Sequence, residues 1–68
     1  MKDDLGPGDS DPVIETVKRR LAVFPFDPEF TDSLGQRIRG YQKRKGLDVT
    51  GLVDEPLLIS LGVMREDD

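Results

Sequence analysis

Between Arg37 and Lys45 the chain places Arg37, Arg39, Lys43, Arg44 and Lys45 in one short run. A guanidinium fork matches the two oxygens of a carboxylate, so this run suits an anionic, carboxylate-bearing ligand; its plain alternative is a solvated helix face. Phosphate is the rival anion, because a small helical module with one basic helix can dock nucleic acid. Two features argue against that reading. The segment joining the second and third helical stretches is extended rather than a tight turn, and Asp3, Asp4, Asp9 and Asp11 near the start with Glu66, Asp67 and Asp68 at the end would repel phosphate. Nucleophilic catalysis has little to work with. Ser10, Ser33 and Ser60 have no histidine to activate them, since the chain contains neither histidine nor cysteine. The same absence removes the thiolate and imidazole ligands of transition metals. Asp9-x-Asp11 and Asp27-x-Glu29 lack the loop and terminal bidentate glutamate that calcium requires. The expectation is a non-catalytic chain with no metal and no cofactor. Phe24, Phe26 and Phe30 offer rings that serve either as core bulk or as a platform for a sugar.

These residues need elements to position them. Asp9-Ser10-Asp11-Pro12 supplies capping oxygens and then a proline suited to a first helical turn. Ile14, Val17, Leu21 and Phe24 follow on one stripe of a 3.6-residue period, predicting a first helix to about Val23, where Pro25 stops it. FPFDPEF reads as a loop anchored by aromatics. A second helix, capped by Thr31 or Asp32, presents Phe30, Leu34, Ile38 and Tyr41 to the core. Its glycines, Gly35 and Gly40, mark either slack or close contact, and the Tyr41 hydroxyl is placed to reach a partner or water. Gly46, after three cations, is suited to a left-handed cap. Leu47 to Val53 reads as two brief extended pieces turning at Gly51. Asp54 then caps a third helix carrying Leu58 and Leu61, with Pro56 in its first turn and Gly62 at its end.

Three helices in 68 residues make one domain with a thin core. No apolar run is long enough to cross a bilayer. The net charge of −4 conceals a body, Pro12 to Arg65, with nine basic residues against seven acidic ones. The expected organisation is a flexible acidic tail at 1–8, a domain at 9–63 and an acidic tail at 64–68, folding as a monomer. Met1-Lys2-Asp3-Asp4 begins no signal peptide, so export is expected to need another route.

GDSDPVIETVKRRL, from Gly8 to Leu21, resembles the G-D-S-G-P-x-V-x-x-L-Q-x-x-L opening of the peptidoglycan-binding-like domain. FTDSLGQRIRGYQKRKGLDVTGLVDEPLLISLG, from Phe30 to Gly62, resembles that family's F-G-x-x-T-x-x-A-V-x-x-F-Q-x-x-x-G-L-x-V-T-G-x-V-D-x-x-T-W-x-x-L-G pattern without a gap. In this chain Asp11 replaces a usual glycine, Lys18 a usual glutamine, Asp27-Pro28-Glu29-Phe30-Thr31 a D-G-x-F-G loop, and Leu57-Leu58 a Thr-Trp pair. The resemblance implies an all-α, compact three-helix domain of the kind that attaches phage endolysins, mycobacteriophage lipid esterases and bacterial cell-wall hydrolases to peptidoglycan. Its partners would be the glycan or stem peptide and an attached or associated lytic enzyme. Its place of action would be the cell wall, reached from a virion or from the cytoplasm at lysis. Family position and exposure together make Asp27, Phe30 and Thr31 in the loop, with Gln36 and Arg39 on the second helix, the ligand-binding candidates. The alternative is an interaction or structural module that kept the fold while the loop lost its glycines and its wall ligand.

Overall fold

The computed structural model describes residues 4–63, and among them it contains three helices and no strand: α1 (Pro12–Leu21), α2 (Asp32–Lys45) and α3 (Glu55–Leu61). All three start on the same device, a side-chain oxygen that accepts from a backbone N–H that the helix cannot itself satisfy. Asp11 Oδ1 accepts from Val13 N at 2.9 Å, Thr31 Oγ1 from Leu34 N at 3.3 Å, and Asp54 Oδ1 from Leu57 N at 3.1 Å. α2 ends at Gly46, whose φ of 76° is the left-handed conformation a glycine adopts without a Cβ clash.

The end of α1 departs from expectation. The helix stops at Leu21 instead of near Val23, because Ala22 turns left-handed with φ 58° and ψ 45°. Val23 N then closes onto Lys18 O at 2.9 Å, and the Val23 side chain enters the core. This moves Phe24 off the apolar stripe on which its spacing placed it, leaving the ring 75% exposed. A left-handed alanine is strained by about 1–2 kcal/mol relative to glycine, and glycine's extra freedom in the unfolded chain offsets about half of that. Ala22→Gly is therefore expected to stabilise the domain by about 0.5–1 kcal/mol, read as a rise in Tm of several degrees, whereas the same change at Thr16 inside α1 should lower it.

Ile14, Val17 and Leu21 from α1, Leu34 and Ile38 from α2, and Leu57 and Leu58 from α3 meet around the fully buried Val53, with Val23 and Phe30 closing the cluster and Leu61 and Tyr41 packed at its margin. A radius of gyration of 10.7 Å is close to the roughly 11 Å of a folded chain this long, as one shared core requires.

Packing begins earlier than the boundary expected at residue 9. The backbone N–H and C=O of Val53 need partners inside the core, and Leu5 supplies both, at 2.9 and 3.0 Å. Gly6 is buried behind Leu5, where a Cβ would come within 2.7 Å of the Leu52 side chain. Leu5 and Gly6 thus pack with the domain, while Pro7 and Gly8 are exposed. The C-terminal tail expected at 64–68 and the first three residues lie outside the described residues. A second antiparallel bridge joins Ser10 to Glu29, with Asp11 N donating to Pro28 O and Phe30 N to Asp9 O. Asp9 Oδ2 accepts from Gly6 N at 2.8 Å, so the GDSD run works as a clasp on the loop before α2.

Candidate functional site

Within the YQ…VTG…VD stretch, Gln42 and Asp54 are buried and Thr50 links them from the surface. Gln42 follows Leu34 and Ile38 at spacings of four and is buried with them. Its Oε1 accepts from Thr50 N at 2.9 Å and from Gly51 N at 3.0 Å, while its Nε2 donates to Thr50 Oγ1 at 3.0 Å. Thr50 Oγ1 in turn contacts Asp54 Oδ2 at 2.9 Å, and Asp54 caps α3. One side chain on α2 thereby fixes both the connection and the start of the next helix. Gly51, with φ 72°, lies under Arg39, whose Nε would be 2.8 Å from any Cβ there. Among the described residues no buried side-chain nitrogen or oxygen lacks a partner, so this network is closed.

A second assembly joins α1 to the loop after it. Lys18 is 0% exposed, although its neighbours Arg19 and Arg20 are solvated. Its Nζ donates to Asp27 Oδ1, which also accepts from Glu29 N at 3.2 Å. The Asp27 side chain is 40% exposed. The Lys18 hydrogen bond, followed by the Glu29 N–H, holds the Asp27 carboxyl below the usual carboxylate range. Lys18 was legible as a core position, since 14, 17, 18 and 21 form one helical face; its charge disguised that.

The outward side of α2 bears a shallow depression of about 400 Å³ lined by Ser33, Gln36, Arg37, Gly40, Tyr41 and Arg44. Gly40 has nothing within 4 Å of a would-be Cβ and forms its open floor, whereas Gly35 is a close-contact site, 3.4 Å from Phe30. Tyr41 forms one wall, its hydroxyl 2.7 Å from Ser60 Oγ and its ring 5.7 Å from Lys45 Nζ. Neither the Lys18–Asp27 nor the Glu15–Arg19 ion pair involves a cation of α2.

The five sequence candidates do not form one site. Gln36 is exposed in the depression, and Arg39 is exposed but folded over Gly51 on another side of the helix. Thr31 is half-buried, with its oxygen engaged as the α2 cap. Phe30 is only 7% exposed and belongs to the core, so its ring cannot meet a ligand. Its place is forced by the clasp, which pins its backbone to Asp9. Asp27 keeps an exposed edge, its bonds to Lys18 and Glu29 both falling on Oδ1. Of the five cations whose run in the sequence suits a carboxylate-bearing ligand, Arg37 and Arg44 line the depression, as helical spacing from Ser33 through Arg37 to Arg44 sets them on one side. The aromatic residues divide: Phe24 stacks on Phe26 with centroids 4.4 Å apart and planes inclined 25°, and the Arg19 guanidinium sits 5.1 Å from the Phe26 centroid.

No family model, curated protein or solved structure matches the chain. Among the described residues no helix is long and apolar enough to cross a membrane.

Proposed function

We propose that this domain is a non-catalytic peptidoglycan-binding module that holds an attached or associated lytic enzyme at the bacterial wall. The observation that carries the reading is the outward side of α2, where Arg37, Arg44, Gln36 and Ser33 surround an open depression instead of a walled cleft. Stem peptides present carboxylates along an extended polymer. An open, cationic surface with amide and hydroxyl groups suits such a ligand, because guanidinium–carboxylate pairing needs forks at the surface and no enclosure. The resemblance of the Gly8–Leu21 and Phe30–Gly62 segments supports the same function, and the polar residues of those motifs are accounted for by the clasp and the Gln42 network. Binding at such a surface is weak by itself. Its effect is to raise the local concentration of a tethered catalytic partner at the wall.

Sedimentation with purified sacculi tests this. The wild-type chain is expected to co-sediment at low salt and to release as salt screens the cations. Replacing Arg37 and Arg44 together by alanine should weaken retention about tenfold, given about 0.7 kcal/mol for each solvent-exposed ion pair lost. Retention that ignores both substitutions would sink the α2 site. No retention on sacculi of any source would return the fold to its alternative, an interaction or structural module.

A further inference from the structure

We infer that the loop between α1 and α2 is a second subsite, for glycan, in which the exposed Phe24 ring stacks on the apolar face of an N-acetylhexosamine while the exposed Asp27 carboxylate accepts from a sugar hydroxyl. The choice of ligand rests on the wall-binding reading, but the site is built from other residues than the α2 depression. A single exposed phenylalanine would carry no argument, since isolated apolar side chains are common on surfaces. This one is held in place. Phe24 packs on Phe26, Phe26 packs on the Arg19 guanidinium, and Arg19 is fixed to Glu15 at 2.8 Å. The backbone is anchored on both sides of the pair. Val23 is buried in the core and bonded to Lys18 O, Asp27 is bonded to the buried Lys18 ammonium, and Asp27 N closes onto Pro25 O at 2.9 Å.

Such a ring is displayed rather than left over, and a ligand that meets it has little loop to order. The face of a phenyl ring is the negative part of its quadrupole, so it attracts the weakly positive C–H bonds on one face of a pyranose while dispersion adds to the contact. Sugars need hydroxyl partners beside that apolar face. Asp27 and Glu29 provide acceptors on the same loop, and Arg19 provides donors beside Phe26. A protein-docking surface would instead need contiguous apolar area, and among the described residues the other large exposed apolar side chains, Val49 and Ile59, belong to the connection before α3 and to α3 itself.

The test is an NMR titration of the full chain with soluble N-acetylglucosamine oligomers, run beside the sacculus sedimentation. The aromatic signals of Phe24 and Phe26 are expected to shift on titration. Phe24→Ala should weaken oligomer binding about tenfold, Phe24→Leu should do the same because it keeps apolar bulk without a π face, and Phe24→Trp should retain binding. As Phe24 is exposed, all three variants are expected to melt close to the wild type. Ring signals that stay unmoved, or Phe24→Leu binding as the wild type does, would overturn the proposal. So would concentration-dependent self-association abolished by Phe24→Ala, since the ring would then serve a second copy of the chain. Sacculus retention with no ring response removes the glycan subsite and leaves wall binding intact. A ring response without sacculus retention supports the subsite and removes the wall reading.

Discussion

Gln42→Leu is expected to destabilise the domain by about 2–4 kcal/mol, enough to leave much of it unfolded at 37 °C. Leucine fits the buried position by size and apolarity, so a rule that favours apolar residues inside would score the change as harmless. The cost comes from the groups left behind. Thr50 N and Gly51 N both donate to the Gln42 carbonyl oxygen, and Thr50 Oγ1 receives its amide. Gly51 N is buried, and stranding it costs about 1–3 kcal/mol, while the bonds lost at the exposed Thr50 add about 0.5–1.5 kcal/mol. A domain of this size is stable by only about 3–10 kcal/mol. The effect also travels along the chain, because Thr50 Oγ1 steadies Asp54, and Asp54 caps α3. Hydrogen exchange in Gln42→Leu should therefore show α3 amides losing protection beyond their share of the global loss, while the early turns of α1 follow the global value. Chemical denaturation gives the magnitude. A variant as stable as the wild type would mean that water satisfies the connection and that Gln42 does not hold it.

The three helices were legible because each is specified locally: apolar residues at spacings of three and four, a capping oxygen in front and, for α2 and α3, Gly46 or Gly62 behind. Where expectation failed, a non-local partner had decided the outcome. Phe24 continued the stripe of α1, but Val23 competes for the same space once Ala22 turns, and no period records which of two neighbours will win. Leu5 looked like part of a tail because the need it meets belongs to Val53, far along the sequence. Phe30 read as core by its spacing and as a ligand candidate by family position, and the Asp9 bond that fixes its backbone goes with the core. Gln42 and Lys18 occupy core positions by spacing alone, and their polarity hid them; for both, the partner that makes burial tolerable lies on another segment. The candidate site was harder still. Spacing can put Arg37 and Arg44 on one side of a helix, but only the fold determines that Arg39 is drawn over Gly51 and that Thr31 is occupied as a cap.

Substitutions at Lys18 and Asp27 should have opposite effects on stability. An ammonium with no exposed side-chain surface is tolerable only while a partner compensates it, and Asp27 is that partner. Asp27→Asn keeps the shape but leaves the buried charge opposed by an amide, and Tm is expected to fall on the order of 10 °C. Lys18→Met removes the charge, fills the same space with apolar atoms and frees Asp27 at a half-exposed position. Its stability should match or exceed the wild type at neutral pH. Acid separates the two further. Because the folded protein holds the Asp27 carboxyl below its ordinary value, the pair's contribution is complete above about pH 4, the range of a free aspartate, and disappears as pH falls through the lowered folded value. The wild type should thus lose stability in that acid window relative to Lys18→Met, in which the Asp27 carboxyl titrates near its ordinary value, while the gap between wild type and Asp27→Asn narrows. Thermal melts of the three proteins from neutral pH down to about pH 2, with a carboxyl NMR titration of Asp27, measure both effects. Equal pH profiles for wild type and Lys18→Met would show that the contact does not hold the loop. The loop would then lack the anchor that presents Phe24, so the same melts also bear on the glycan subsite.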